Sequence, residues 1–116
     1  LKQAAGTIAL GTDFPVEKID PLLTFYAAVS RKDLKGFPEG GFQKSDALDR
    51  TSTLRGMTIE AAYANFEEKK KGSIVAGKLA DLVVLDNDIL QVDESQIPNT
   101  KVLQTYLGGR CVFELK

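Results

Sequence analysis

The sequence predicts a mixed α/β protein that changes character near Gly72, with an α/β segment before that residue and a β segment after it. Three observations carry this reading. A short apolar run, Thr7-Ile-Ala-Leu10, follows a glycine and ends at Gly11-Thr12-Asp13. Two later stretches place apolar residues at helical spacing. Beyond Gly72 the pattern turns to that of strands, with the β-branched run Leu82-Val-Val-Leu85 and a Gly-Gly pair near the end.

Taken in order, Leu1-Lys-Gln-Ala-Ala5 before Gly6 has the form of a last helical turn and its C-terminal glycine. Thr7–Leu10 then reads as a buried strand, and a helix, a tight glycine and a strand in that order suit the end of a parallel α/β unit. Phe14 to Ile19 is a loop, because Pro15 cannot join a central ladder. Asp20-Pro21 opens a helix, with Asp as N-cap and Pro at the first helical position. Leu22, Phe25, Tyr26 and Val29 form its apolar face at i, i+3, i+4 and i+7. The polar residues Ser30 to Asp33 end it.

Gly36 to Asp46 is a surface loop whose glycines lack the spacing and the Lys-Ser/Thr ending of a phosphate cradle. Its two phenylalanines, Phe37 and Phe42, leave room for a substrate-facing role. Asp49 caps a short helix through about Met57, with Leu54 and Met57 turned inward. Thr58 caps another, in which Ile59, Ala62, Tyr63 and Phe66 repeat the helical spacing. Lys69 to Lys71 would then oppose the negative end of that helix's dipole.

The run Gly72-Ser-Ile-Val-Ala-Gly-Lys-Leu-Ala-Asp-Leu-Val-Val-Leu-Asp86 is the stretch around which the rest is organised. Leu82–Leu85 within it reads as a strand buried on both faces, with Asp81 and Asp86 as its boundaries. Short turns follow around Pro98. Lys101 to Leu107 is a strand, Gly108-Gly109 a two-residue hairpin turn, and Cys111, Phe113 and Leu115 share one face of the return strand. Cys111 on that face is expected to be a buried, unreactive thiol.

Composition narrows the function classes. At 116 residues, 43% hydrophobic and 27% charged, the chain suits one folded unit with a modest core. A formal net charge of -1 gives no electrostatic footprint for nucleic acid or an anionic membrane, so neither is expected as a partner. No run approaches the roughly 20 apolar residues of a membrane-spanning helix. The absence of His removes the commonest general base and metal ligand, and a single Cys excludes both an intrachain disulfide and a thiolate zinc site. A complete hydrolytic metal centre is therefore not expected within the chain, which reads as a piece of something longer.

Four blocks resemble the metal-dependent amidohydrolases, and among them the amidohydrolase-3 branch of YtcJ-like proteins. Gly11-Thr-Asp-Phe-Pro-Val16 is similar to that branch's segment at the end of its last barrel strand. Leu54-Arg-Gly-Met-Thr-Ile-Glu-Ala-Ala-Tyr-Ala64 resembles its helix with Thr and a paired Ala. The Gly72–Asp86 run resembles the superfamily's Gly-Lys-x-Ala-Asp-Leu-Val-Val-Leu-Asp signature, and Val102 to Val112 fits the closing hairpin. The resemblance implies that residues 1–71 are the C-terminal remnant of a (β/α)8 barrel, supplying its eighth strand and the helices after it. Residues 72–116 would be the C-terminal part of a small composite β-sandwich. The family's His-x-His pair and further metal ligands would lie upstream.

Asp13 is the residue on which the chemistry falls. It stands just past a barrel-type strand, on the face where barrel enzymes place their sites. By its position alone it reads first as a turn residue bonding local backbone, since Asp is common at strand ends. The resemblance implies a metal ligand, the base for the metal-bound water, or both, in hydrolysis of a C–N bond of an amide or cyclic amide. It also implies a divalent metal in the full-length enzyme, zinc first among the candidates, and none in this fragment alone. The expected partners are the remainder of the parent chain, a small-molecule substrate in the complete enzyme, and further copies of this chain pairing through exposed edges as a homo-oligomer. A non-catalytic interaction module sharing the same β segment is the alternative. A small autonomous enzyme is the weakest reading, since no nucleophile–base pair is present.

Overall fold

The computed structural model describes residues 6–116, so the helical turn expected at residues 1–5 lies outside the described residues. The fold is a mixed α/β arrangement of helices α1 (Pro21–Ser30), α2 (Arg50–Met57) and α3 (Ile59–Ala64) with strands β1 (Leu82–Leu85), β2 (Val102–Leu107) and β3 (Arg110–Glu114). Single 3-10 segments at Lys44–Asp46 and Glu94–Asn99 complete it.

Helix α1 forms as its sequence dictates. The Asp20 carboxylate accepts from the Leu22 amide at 2.9 Å, and Pro21 occupies the first turn, where no amide is missed. Leu22, Phe25, Tyr26 and Val29 are all buried, as their spacing predicts. They meet Ile89 and Ile97, with Leu54, Met57, Leu85 and Val92 packed around them. The buried cluster thus joins residues from both sides of Gly72. Arg31 adopts the left-handed conformation (φ 59) that ends the helix, and its amide donates to the Ala27 carbonyl at 3.0 Å. Lys44 Nζ donates to the Val29 carbonyl at 2.8 Å and pairs with Glu94 at 3.1 Å, placing a cation at the helix's negative end.

Asp49 caps α2, accepting from the Ser52 amide at 2.8 Å. Arg50 then reaches the Ile89 carbonyl at 3.1 Å and ties this helix to the β segment. Helix α3 differs from its sequence pattern. It stops at Ala64, Tyr63 is 60% and Phe66 93% exposed, and the inward positions are Glu60 and Ala62. Thr58 gives it no side-chain cap, because its hydroxyl donates back to the Leu54 carbonyl at 2.6 Å. Lys69–Lys71 therefore lie beyond the helix end. There Lys71 bonds Glu67 at 2.6 Å, and this bond, followed by one from Asn65, holds the Glu67 carboxyl below its usual pKa.

The sheet is three-stranded and antiparallel in the order β1-β2-β3. Leu82 lies opposite Tyr106, and Thr105 opposite Phe113, with irregularities after Val84 and after Thr105. Gly108 (φ 57) and Gly109 (φ 80) both take positive φ, the requirement of a type I′ hairpin. Asp81 and Asp86 are boundary residues, accepting from the Gly108 amide at 2.7 Å and the Lys101 amide at 2.8 Å. Two expectations fail here. β1 is an edge strand with Val83 54% exposed, not a strand buried on both faces, and every residue of β3, Cys111 included, is exposed. Among the described residues no second layer covers this end of the sheet.

Gly72 fixes how the β segment leaves α3. It sits at φ 88, and a Cβ there would lie 2.8 Å from the Ala62 Cβ and 2.9 Å from the Ile59 Cα. Gly72→Ala is expected to cost about 2 kcal/mol or more in urea denaturation, combining left-handed strain with a backbone clash. At Gly77 (φ 92), where a Cβ meets open space, only the conformational part applies, about 1 kcal/mol. Equal costs at the two positions would show that the α3 contact is not formed.

Candidate functional site

Thr7–Leu10 does not form the strand its sequence suggests, because no neighbouring strand stands beside it among the described residues. Its amides find other acceptors. Leu10 N donates to the Gly56 carbonyl and Ile8 N to Glu60 Oε2, each at 2.9 Å. Ile8 and Leu10 are half-buried against the α2–α3 corner, and Thr7 and Ala9 face out. The fit is close: a Cβ on Gly56 would lie 2.8 Å from the Ile8 carbonyl and 3.0 Å from a Leu10 methyl. Sequence reasoning singled out neither Gly56 nor Glu60. Glu in a first helical turn reads as a solvated acid favoured by the dipole, and nothing in the local pattern announces that it turns inward.

This segment delivers Asp13. The residue is exposed and held at φ 54, a left-handed conformation that Asp tolerates better than most residues. Its carbonyl accepts from the Val16 amide at 2.9 Å. The side-chain cap of this turn comes from Thr12 instead, whose Oγ1 accepts from the Phe14 amide at 3.3 Å. Asp13 opens onto a depression of about 620 Å³ against one side of α1, shared with Glu17, Tyr26, Arg31 and Asp33. Arg31 is held there by its Nε bond to the Phe42 carbonyl at 3.0 Å, with its guanidinium 5.8 Å from the Phe42 ring centre. Phe42 thus lies beside the depression through Arg31.

A larger cleft of about 1080 Å³ lies elsewhere, between β1 and helices α2 and α3, and is mainly apolar. Three of its carboxylates, Asp81, Asp86 and Asp88, accept from the backbone amides of Gly108, Lys101 and Leu90. They are structural acceptors, so size does not make this cleft the chemical site. Among the described residues no group of three or more Asp, Glu or Cys side chains could hold a metal, and the chain has no His. Asp13 could supply one carboxylate ligand; the residues present do not compose a metal centre by themselves.

A model of the amidohydrolase family matches residues 1–113. The N-substituted formamide deformylase of Arthrobacter pascens is 32% identical over 107 residues, which are 92% of this chain and 19% of that protein. YtcJ of Bacillus subtilis, a protein assigned as an amidohydrolase, is 31% identical over 104 residues, 90% of this chain and 20% of that one. The crystal structure of an amidohydrolase from Thermotoga maritima superposes with a TM-score of 0.56 at 26% identity, covering 93% of this chain and 23% of that chain. The chain spans about a fifth of the length of the curated relatives it matches. The Asp13 segment, the α2–α3 corner and the Gly72–Asp86 run all fall inside the matched residues, and the chain belongs to the amidohydrolase family.

Proposed function

We propose that the chain is the C-terminal portion of a metal-dependent amidohydrolase that hydrolyses the C–N bond of an amide or cyclic amide. In this reading Thr7–Leu10 belongs to the last strand of a (β/α)8 barrel, and β1–β3 are the C-terminal share of a small β-sandwich. The remainder of the parent chain supplies the other barrel strands and metal ligands, and the 116-residue chain alone is inactive. Taken alone, that chain pairs with further copies along its exposed strand edges.

The observation that carries the reading is Asp13 itself: an exposed carboxylate on left-handed backbone, in a turn whose side-chain cap comes from Thr12. A strained conformation retained at a loop is a reason to look for function there. A divalent metal, zinc first among the candidates, would acidify the attacking water when bound. In the proposed hydrolysis an Asp13 Oδ would take the proton of the attacking water as the water oxygen adds to the carbonyl carbon. The same carboxyl then returns the proton to the leaving nitrogen as the C–N bond breaks. The deformylase relative, named for N-substituted formamides, supports an acyclic amide as the first substrate to try.

The test uses the full-length protein carrying this sequence, assayed for amine release from N-substituted formamides and for opening of cyclic amides. Turnover that disappears on dialysis against a chelator and returns with zinc or another divalent ion is expected. Failure to cleave either class, or turnover indifferent to chelation, would overturn the proposal.

A further inference from the structure

We propose that Glu60 is a positioning residue for Asp13, acting through the backbone of the segment that carries it; the inference rests on the reading of Asp13 given above. Glu60 is 5% exposed, and a carboxylate that far from water persists only with good partners. Its Oε2 accepts the Ile8 amide at 2.9 Å, and its Oε1 receives Arg55 Nε at 3.3 Å. One oxygen therefore grips the segment and the other is held by a cation from the preceding helix. Two residues on, Leu10 N is held by the Gly56 carbonyl at 2.9 Å. Both amides are held by the α2–α3 corner, which gives the segment the kind of contact a neighbouring strand would give.

Asp13 follows the second of these anchors by three residues, within a turn closed by its own carbonyl. The carboxylate thus inherits its place from Ile8 and Leu10. Charge matters as well as contact, because an ionised acceptor holds an amide more firmly than a neutral one. A displacement of about 1 Å at a reacting group can cost about a hundredfold in rate. Loss of Glu60 should then lower kcat while substrate binding is kept, since Glu60 does not line the Asp13 depression.

The experiment compares Glu60→Ala, Glu60→Gln and Asp13→Asn in the full-length protein, reading kcat, KM, melting temperature and hydrogen exchange of the peptide spanning residues 7–13. For folded Glu60→Ala, kcat is expected to fall about tenfold or more with KM within about threefold, and exchange at Ile8 to quicken. Glu60→Gln keeps an acceptor for Ile8 but loses the charge paired with Arg55, so its kcat should fall between those of the parent and Glu60→Ala. If Glu60→Ala folds and keeps kcat within about twofold, the inference falls, and a neighbouring strand, not Glu60, holds these amides. In that case Asp13→Asn, inactive in the same assay, leaves the reading of Asp13 standing. If Asp13→Asn is itself active, that reading fails first. Should Glu60→Ala not fold, Arg55→Gln decides. Its side chain is 58% exposed, so it removes only the cation behind Glu60; faster exchange at residues 7–13 with lower kcat supports the proposal, and no change in either overturns it.

Discussion

Asp13→Asn in the full-length protein is expected to keep the fold and to lower kcat by about a hundredfold to ten-thousandfold, the range general acid–base groups supply. The substitution is clean for a structural reason. Asp13 sits at φ 54, and Asn is among the few residues that accept this conformation, so the turn to Val16 is preserved. The side chain is exposed and near-isosteric, so packing is not disturbed. What changes is the ability to hold a negative charge and to take up a proton. Melting temperature and circular dichroism should match the parent while amide turnover is lost. Turnover within a few-fold of the parent would make Asp13 a turn residue and remove it from the chemistry. Asp13→Ala would be a poorer test, because Ala at this φ adds backbone strain and confounds folding with catalysis.

Much of the fold was legible because local chemistry and tertiary packing agree. Asp20-Pro21 caps the helix whose apolar face became the core, Asp49 caps the next, and Gly108-Gly109 takes the two positive φ values that a tight hairpin needs. Where the sequence misled, periodicity named a shared face without saying what covers it. Leu82–Leu85 has the composition of a doubly buried strand, yet its one ladder partner is β2, and Val83 stays open. Cys111 and Phe113 alternate as a buried face would, but the irregularity after Thr105 and the lack of a covering layer among the described residues leave β3 exposed. Tyr63 and Phe66 have helical spacing, but the helix ends at Ala64 and Phe66 falls at φ 59 outside it.

The site divides the same way. Asp13 stands out in the sequence as an acidic residue past a strand-like run, and its role in chemistry is the one proposed above. Its supports were not visible, since Gly56 and Glu60 act over long range: Ile8 and Glu60 are 52 residues apart. Spacing rules reach three or four residues along a helix and two along a strand. They do not see a carboxylate that leaves its helix to bond a distant amide.

Phe25→Ala is expected to be the most destabilising single truncation, at about 3–5 kcal/mol. Phe25 is 1% exposed and belongs to the cluster that joins Leu22, Tyr26 and Val29 of α1 to Ile89 and Ile97 beyond Gly72. Removing the ring forfeits its transfer energy and leaves a void that the helix, fixed by its Asp20 cap, and the 3-10 segment, tied to Lys44 through Glu94, close only in part. Total stabilities of single domains run to about 5–15 kcal/mol, so this change should shift the urea midpoint by a large fraction of its value. Phe66→Ala supplies the contrast: the same deletion at a ring 93% exposed should stay within about 0.5 kcal/mol. The consequence reaches the site, because the Asp13 depression is built against the same helix, through Leu23 and Ala27. A loosened α1 would widen it, so in the full-length protein Phe25→Ala should raise KM in the proposed amide hydrolysis as well as lower the urea midpoint. A Phe25 variant as stable as the parent would show that the two segments are not held together by this cluster.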